Sequence, residues 1–562
     1  MKKIFKDKRC NIISLIIAII LSLFQVLGNS IEKYMSLEGI LKDGSTIISS
    51  IAIFCGYTII LFFIILLLYK IVLPKILRKT DKDYQFFTAN KRSFFVVAIF
   101  IFAMYIPYFL NEFPGIISTD SLAEILQAMG YRTLENHYPI AHIGLISIAM
   151  NIGKLIGNYN IGIAIYSIFQ MILTACVFSY TIYFMAKYKV NKAIRIITLL
   201  IYAFYPPFAI YAVTMWKDVP FALFMTIYVT FLIEMAINSE IIKSKSFNIK
   251  FVIIMIMVFL FRNNGIYVLL LSMPFVIGIH KKYRKKLIIL YLIVFVTYAI
   301  FTGPIFKIFN IKKSDIRETL SVPLQQFARV WIENKDTLTE EEKELIKTFL
   351  PGNDIEQAYN PICSDPIKAK FSNSIWNEKK IEFIELCAKM WVKYPQSSLE
   401  ALLCNSYGYW YPNTKGCVSY YDFRKTSDIV DRENTDSRAF EMEYEKKPIL
   451  KIEICDYLKL KTDEKGLNVE NIWYSIGFIF WLFLISYGYV IYRKKYKLSV
   501  AYIPIIALWL TTLASPLAIE YRYLYSLFTS FPIIAIATIE FANKEERKSI
   551  KGEIWWKRFY LE

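Results

Sequence analysis

The sequence predicts a mainly α-helical, polytopic membrane protein. It would have about 12 transmembrane helices, a re-entrant or interfacial helix at about 139–157, and one α-rich extracytoplasmic domain. Three observations predict this class. The chain of 562 residues is 56% hydrophobic and 17% aromatic. Runs of about 18 or more apolar residues recur along it, the length that spans a bilayer as a helix. Lysine and arginine gather in the short segments between these runs.

The apolar runs divide the chain into three predicted parts. Residues 1–307 form an N-terminal transmembrane bundle whose outer loops carry the candidate site. Residues 308–471 are a long polar stretch, and residues 472–562 form further membrane helices and a basic tail. The predicted spans lie near 11–28, 47–69, 93–111, 161–186, 196–215, 219–237, 249–262, 265–279, 287–306, 473–490, 498–514 and 523–539.

The net charge of +19 is a topology signal. With twelve spans, the basic segments at 1–9, 70–92, 187–195, 281–286 and 493–497 all fall on one side of the membrane. The positive-inside rule assigns that side to the cytoplasm. Both termini are then cytoplasmic in a multi-pass protein of the cell membrane, and the long polar stretch is extracytoplasmic. The basic charge needs no nucleic-acid partner to explain it.

Two segments decide the predicted number of spans. The run 139–157 is apolar but contains polar residues, and as a full span it would move later basic loops outside. We therefore interpret it as re-entrant or interfacial. The run 251–279 is interrupted by Arg262-Asn263-Asn264-Gly265, which predicts two short helices with a polar break at the outer surface. Interrupted membrane helices often mark binding sites.

The polar stretch 308–471 has the signals of a folded domain. Thr339 and Glu342 have the spacing of a helix capping box. Ile381, Ile384, Ala388 and Trp391 recur near helical spacing, which predicts a packed face. The aromatic run 405–412 is expected to pack in a core or, less favoured, to stack on sugar rings.

Five cysteines fall in the same stretch, and they allow one or two disulfides whose pairing the sequence leaves open. They are Cys363, Cys387, Cys404, Cys417 and Cys455.

Ionisable residues near the predicted span ends collect on the outer face. Asp120 is a candidate base or metal ligand, with an N-cap as the alternative because Ser118-Thr119-Asp120-Ser121 precedes a helical run. His137 and His142 are two of the three histidines in the chain. Their five-residue spacing makes a shared metal doubtful, and interface packing is the alternative.

Three further groups follow along the chain, at 216–218, 262–264 and 520–523. Lys217 beside Asp218 is either a neutralised turn or a phosphate ligand next to a second acid. Arg262 and Arg522 either snorkel to the interface or bind phosphate oxygens with their rigid fork. A charge in the membrane costs about 2.5–3.5 kcal/mol, so such residues usually face a cavity.

Together these residues suit a ligand with an anionic head and an apolar tail. A polyprenyl-phosphate sugar is such a molecule, and an acid could deprotonate the hydroxyl of the acceptor. The predicted substrate-binding residues are Lys217, Arg262, Asn263, Asn264, Glu520, Arg522 and His142.

The order of these parts resembles the GT-C superfamily of membrane glycosyltransferases, and also a bacterial GT-C-like family without assigned function. The resemblance rests on Ser118-Thr119-Asp120-Ser121, His137-Tyr138-Pro139-Ile140 and Trp216-Lys217-Asp218, and it covers about residues 93–240. It extends more weakly to the motifs at 262–265 and 520–523.

The resemblance implies sugar transfer from a polyprenyl-phosphate donor, with catalytic residues Asp120, Asp218 and His137. Asp120 would be the acid/base residue, and Asp120 and Asp218 could share a divalent metal, Mg or Mn. The sequence departs from the family's pattern at two points. More than one span precedes the first acidic loop where many members have one, and the first motif has one acid in place of a pair.

We expect a membrane glycosyltransferase that acts on the extracytoplasmic face. Its partners would be the lipid bilayer, a polyprenyl-phosphate sugar donor, and a glycan, lipid or protein acceptor of the cell envelope. Two alternatives stay open. One is a transporter or flippase of lipid-linked glycans, and the other is a glycan polymerase or ligase that uses a lipid-diphosphate donor.

Overall fold

A computed structural model describes residues 6–77, 88–414, 416–418, 423, 425–426, 428, 443–450, 461–463, 466–469, 472–516 and 519–543. These residues are mainly helical. The membrane-type helices form one bundle with a continuous apolar core. A smaller polar domain with its own core, residues 316–406, lies at one end of the bundle.

Nineteen helices of this described part carry the argument, and they are numbered in chain order. The first twelve are α1 Lys8–Tyr34, α2 Gly44–Leu67, α3 Lys91–Asn111, α4 Thr119–Ala128, α5 Ile140–Ile156, α6 Tyr159–Lys187, α7 Lys192–Phe204, α8 Pro206–Val213, α9 Asp218–Ile237, α10 Lys245–Phe261, α11 Gly265–Ile279 and α12 Arg284–Ile300. The other seven are α13 Ser321–Asn334, α14 Glu340–Phe349, α15 Asn373–Lys393, α16 Pro395–Ser406, α17 Ile476–Tyr492, α18 Ile503–Ala514 and α19 Tyr525–Phe531.

Shorter helical segments extend or connect these helices. They are Glu38–Leu41, Leu68–Val72, Leu73–Leu77, Ser239–Lys243, Lys281–Tyr283, Phe301–Ile305, Phe306–Ile308, Ile316–Thr319, Lys335–Thr337, Ile355–Ala358, Asp365–Lys368, Tyr407–Tyr409, Ile472–Tyr474, Tyr496–Ala501, Tyr521–Leu524, Pro532–Ala537 and Thr538–Asn543. Three short antiparallel strands pair in the order β1-β3-β2. They are β1 Gly416–Val418, β2 Lys461–Asp463 and β3 Gly466–Val469.

Within the described residues, eight helical segments are long and apolar enough to cross a membrane. They are Lys8–Tyr34, Gly44–Lys75, Lys91–Asn111, Tyr159–Lys187, Asp218–Ile237, Lys281–Ile308, Tyr496–Ala514 and Tyr521–Asn543. The consecutive helices α7 and α8 meet at an angle of 49° and give a ninth if they form one broken span.

The predicted number of twelve spans is not confirmed. The other three predicted spans correspond to α10, α11 and α17, which have 17, 15 and 17 residues. A 17-residue helix is about 25 Å long, less than the hydrocarbon thickness of about 30 Å. The chain is a membrane protein by its apolar helices, and its orientation in the bilayer stays a prediction.

The helices divide into central and peripheral ones. Helix α9 is buried around almost its whole circumference, as expected for an apolar helix at the centre of a bundle. Helix α2 instead exposes a broad apolar surface that includes Ile48, Ile51, Ile59 and Ile60. Such a surface indicates contact with lipid.

The predicted helix at 139–157 is present as α5. It packs against α6 and lies beside α4, and its outer side chains Ile148, Leu155 and Ile156 are exposed. An exposed apolar side on a helix of 17 residues agrees with an interfacial position. Whether it enters the membrane stays a prediction.

The polar domain confirms one prediction from the sequence and corrects another. Thr339 and Glu342 form the predicted capping box at the start of α14. Helix α15 is present, but the apolar residues predicted as its packed face do not pack. The exposed residues are Ile381, Ile384, Ala388 and Trp391.

The buried face of α15 is formed by Phe383, Leu386 and Met390. Phe383 packs edge-on against Phe327 of α13 and Phe349 of α14. These partners come from distant parts of the chain, so the periodicity of α15 alone could not select its buried face.

The aromatic run after α16 packs in the core, the favoured prediction. Tyr409 and Tyr411 are fully buried, and the Trp410 ring packs at a tilt against Phe24 of α1. The aromatic run is therefore not available to stack on sugar rings.

The cysteines described in the polar domain form no disulfide. Cys363, Cys387 and Cys404 carry free thiols. The side chains of Cys417 and Cys455 lie outside the described residues.

Two contacts fix the polar domain to the bundle. Arg329 of α13 forms an ion pair with Glu400 of α16, and both hold the loop after α1 through backbone atoms of Met35 and Leu37. At the other side, Asn405 donates to the carbonyl of Pro516, after α18. We call the end of the bundle that meets this domain the domain end.

Candidate functional site

Six charged side chains meet at the domain end of the bundle, and we call them the charged cluster. They come from four separate segments of the chain, at helix ends and in the loops beside them. The members are Asp120, Lys217, Asp218, Arg262, Glu520 and Arg522.

Asp120 is placed by hydrogen bonds between two loops. The backbone of Ile116 pairs with Val213 and Met215, at 3.0 and 3.1 Å. The hydroxyl of Ser121 donates to the carbonyl of Met215 at 2.5 Å. These contacts set the first turn of α4 beside the start of α9 and bring Asp120 next to Lys217.

Asp120 is not the helix cap. Ser118 occupies that position, in a capping box with Ser121. The carboxylate of Asp120 is therefore free to bind other groups. Its Oδ2 accepts from Nζ of Lys217 at 2.9 Å and from Nη1 of Arg522 at 2.6 Å.

Arg522 links two acids. Its Nη1 binds Asp120, and its Nε donates to Oε2 of Glu520 at 3.1 Å. The guanidinium also lies over the rings of Trp216 and Tyr523, at 5.3 and 5.4 Å. Cation–π contacts of this kind help to hold the guanidinium in place.

Arg262 forms the second part of the cluster. Its Nη1 is 3.0 Å from Oδ1 of Asp218 and donates to the carbonyl of Tyr523 at 3.0 Å. Asp218 is 1% exposed, and among the described residues its oxygens accept no well-aligned hydrogen bond. Asp218 is therefore much less exposed than Asp120, whose side chain is 19% exposed.

The break between α10 and α11 that positions Arg262 depends on a glycine. A Cβ atom at Gly265 would lie 2.4 Å from the carbonyl oxygen of Val258. Only glycine allows this approach of the two helix ends. The predicted interruption of the apolar run at 251–279 is thus confirmed as a break between two helices.

The segment with His137 lies against the cluster. Asn263 donates to the carbonyl of Asn136 at 2.5 Å, and Nζ of Lys217 lies 4.4 Å from the centre of the Tyr138 ring. The His137 ring packs edge-on against Tyr138. Asn264 contributes its backbone carbonyl, which accepts from Tyr267 at the start of α11.

His142 is not part of the cluster, which corrects its predicted role in substrate binding. It is fully buried. Its Nδ1 is 2.9 Å from Oε2 of Glu124, and its Nε2 is 2.5 Å from the hydroxyl of Tyr166. With both ring nitrogens engaged, it has no group left for a ligand.

Glu124 was not among the candidate residues identified from the sequence. It lies one helical turn after Asp120, buried in the apolar helix α4. A single acid between Ala123 and Ile125 is a signal that could have found it, because a buried carboxylate needs a partner. Tyr166 continues the contact to Gln170, whose amide donates to the carbonyls of Tyr211, Ala212 and Thr214.

The electrostatics differ between the two accessible acids. Burial acts to raise the pKa of Asp120, but Arg522 and Lys217 outweigh it, so this pKa lies well below its usual value. Burial raises the pKa of Glu520 above its ordinary value, although Arg522 opposes the shift. Burial and the charge of Lys217 lower the pKa of His137.

The residues do not fit the predicted shared metal. Asp120 pairs with Lys217 and Arg522, and Asp218 pairs with Arg262. A divalent cation would need these carboxylates as its own ligands. In the described ranges, no three His, Cys, Asp or Glu side chains converge to hold a metal.

The cluster contains three cations and three carboxylates at the end of an apolar bundle. Such an arrangement can bind an anionic group through charge-assisted hydrogen bonds. The carboxylates keep the cations oriented while no anion is bound.

Comparison with known proteins gives a family without an assigned function. No curated protein and no solved structure matches the chain. Residues 126–552 match a family of unknown function (DUF6020), a segment that contains five of the six members of the charged cluster and begins shortly after Asp120. Because the match covers more than half of the chain, the protein belongs to this family of unknown function.

Proposed function

We propose that the protein is a membrane glycosyltransferase that takes a sugar from a polyprenyl-phosphate donor. The acceptor would be a glycan, lipid or protein of the cell envelope, and transfer would occur on the extracytoplasmic face. The observation that carries this proposal is the convergence of Lys217, Arg262 and Arg522 at the domain end of an apolar bundle.

The geometry supports the class of ligand. Lys217 and Arg522 are 14% and 12% exposed, so they can reach a phosphate while most of their surface is shielded. Shielding from water strengthens their attraction for an anion. An apolar tail would lie along the exposed apolar surfaces of the bundle, as lipid does.

The rest of the site supports transfer to an acceptor. Carboxylates and His137 lie beside the cations, and proton transfer by such groups is a common part of glycosyl transfer. The polar domain meets the segment that precedes Glu520 through the bond from the Ser515 hydroxyl to the carbonyl of Glu318, at 2.6 Å. A domain in this position could hold an acceptor over the donor phosphate.

Radiolabelled polyprenyl-phosphate sugars offered to the full chain in native membrane vesicles test the proposal. We expect transfer of label to an endogenous acceptor with at least one donor sugar. We expect Asp120→Asn to lose transfer while the variant still inserts in the membrane, because Lys217 and Arg522 lose their shared partner.

Absence of label transfer from every donor sugar would contradict the proposed activity. Full transfer activity in Asp120→Asn would leave the activity in place and remove Asp120 from the mechanism. Movement of labelled lipid between leaflets without transfer of sugar would favour the transporter over the enzyme.

A further inference from the structure

The accessible acids of the charged cluster have unequal contacts. Oδ2 of Asp120 accepts two cationic donors, at 2.9 and 2.6 Å. Glu520 accepts one such donor, Nε of Arg522 on its Oε2. Within the described part of the chain, neither Oδ1 of Asp120 nor Oε1 of Glu520 accepts a hydrogen bond, and the two side chains are 19% and 26% exposed.

A carboxylate bound by two cations is a weak proton acceptor, because each cation favours the ionised form. Losing these contacts to a proton would also leave Lys217 and Arg522 without their shared anion. The contacts of Asp120 therefore suit a fixed charge. The open oxygen of Glu520 suits the exchange of a proton.

Asp218 is excluded as an alternative. It is 1% exposed and forms an ion pair with Arg262. A general base must reach the proton it abstracts, directly or through one water. Of the three carboxylates, Glu520 combines the most exposed side chain with a single cationic contact, to Arg522.

We infer that Glu520 is the residue that takes the proton of the acceptor hydroxyl, and that Asp120 stays ionised and orients Lys217 and Arg522. This inference rests on the proposed function. It reverses the roles that the resemblance assigns, because it moves proton transfer from Asp120 to Glu520.

The step balances with these groups alone. The acceptor O–H bond breaks, and its proton moves to Oε1 of Glu520. The acceptor oxygen forms a bond to the anomeric carbon of the donor sugar. The bond from that carbon to the phosphate oxygen breaks, and its electron pair leaves on the phosphate, which faces Lys217 and Arg522.

The charge balance makes the assignment testable without knowing the sugar. With all three acids ionised, the cluster has no net charge, so an incoming phosphate favours protonation of one acid. If that acid is Glu520, anion binding tightens as pH falls through its pKa. The groups that face Glu520 are Arg522, Asp120, Asp218, the hydroxyls of Tyr211, Tyr409 and Tyr523, and the Cys363 thiol.

The experiment measures the affinity of polyprenyl phosphate for the full chain in lipid nanodiscs, from about pH 8 to about pH 5. A polyprenyl sulfate serves as the control ligand, because its charge does not titrate in this range. For the wild type we expect tighter binding of the sulfate as pH falls. The phosphate itself takes up a proton over this range, because its second pKa is about 6, so the sulfate carries the comparison.

Three variants test which residue takes up the proton that accompanies anion binding. We expect Glu520→Gln to bind the sulfate with the same affinity at every pH, near the wild-type value at low pH. We expect Asp120→Asn to keep a pH dependence that moves to lower pH, because the negative charge of Asp120 raises the pKa of Glu520. We expect His137→Asn to keep the wild-type dependence.

Transfer gives a second readout. A positioned base contributes about 10²- to 10⁴-fold in rate, so Glu520→Gln should lose about this much in kcat with little change in donor KM. Glu520→Asp keeps a titrating carboxylate and should keep the pH dependence, even if the Gln variant folds poorly.

The inference fails if Glu520→Gln keeps the wild-type pH dependence, or if Asp120→Asn or His137→Asn abolishes it. Absence of polyprenyl phosphate binding by the wild type at every pH is a different result. It would overturn the proposed donor and, with it, this assignment.

Discussion

Asp120 illustrates how partners decide the chemistry of a residue. The sequence places it in an outer loop before a helix, which is compatible with a cap, a base or a metal ligand. In the structure Ser118 is the helix cap, and the carboxylate of Asp120 forms ion pairs with Lys217 and Arg522. Its membership of a functional site stays a prediction. Its partners come from 97 and 402 residues away, and no local pattern encodes them.

His142 and Glu124 show the same limit. The sequence singles out His142 as one of three histidines, but its partner Glu124 lies 18 residues away in a different helix. Because both side chains are fully buried, they act through α4 and α5 and not on a ligand.

Removing the hydroxyl of Tyr166 tests this buried contact. We expect Tyr166→Phe to lower the free energy of unfolding by about 1–3 kcal/mol, because His142 and Gln170 lose a buried hydrogen-bond partner. Unfolding in detergent, followed by heat or denaturant, measures the change.

Tyr267→Phe is the matched control, since Tyr267 is 54% exposed. It should leave stability within about 0.5 kcal/mol. Equal effects of the two variants would show that the Tyr166 contact adds nothing to stability.

At the scale of elements, the sequence predicts where helices occur better than it predicts which face of a helix is buried. The spacing of apolar residues predicts α15, and the capping box predicts the start of α14. However, α15 has two apolar sides, and its core partners Phe327 and Phe349 decide which one is buried. Local periodicity carries no information about such partners.

Adjacent residues of α15 test the corrected face. We expect Phe383→Ala to cost about 3–5 kcal/mol, because it opens a cavity among aromatic rings. We expect Ile384→Ala to change stability by about 0.5 kcal/mol or less, because Ile384 is exposed. The comparison uses the same thermal unfolding measurement, and the opposite order would restore the predicted face.

The break between α10 and α11 gives an element-scale prediction. We expect Gly265→Ala to weaken polyprenyl phosphate binding, because the new Cβ would meet the Val258 carbonyl oxygen and displace the adjoining Arg262. Gly278, in the same helix α11, has open space around its Cα. Gly278→Ala should bind like the wild type, and equal loss in both variants would refute a special role for the break.

At the scale of the whole molecule, composition predicts the membrane class securely, because buried and lipid-facing helices are both apolar. It predicts the number of spans less well. Hydropathy does not distinguish a short helix that crosses the membrane from one that ends inside the protein. Helices α10, α11 and α17 are of this short kind. The meeting of four distant segments in the charged cluster depends on the packing of the whole bundle.

The predicted orientation in the membrane, with the polar domain outside the cytoplasm, rests on the positive-inside rule and can be measured directly. We expect a cysteine at Ile381, in the polar domain, to react with a membrane-impermeant maleimide in intact cells. A cysteine at Lys285, in the first turn of α12, should react only after permeabilisation. Both side chains are exposed, so access to the reagent depends on the side of the membrane. Labelling in the reverse pattern would move the proposed site to the cytoplasmic face.

The measurement that tests the central claim most directly is the affinity of polyprenyl phosphate for Arg522→Gln in nanodiscs. Arg522 bridges Asp120 and Glu520, and without it two acids would face the ligand. The control is Lys370→Gln, which removes a cation paired with Asp354 in the polar domain. We predict that Arg522→Gln weakens binding by about 10- to 100-fold, as expected for a charge-assisted hydrogen bond, while Lys370→Gln binds like the wild type. Wild-type affinity in Arg522→Gln would contradict the claim that the charged cluster binds a lipid phosphate.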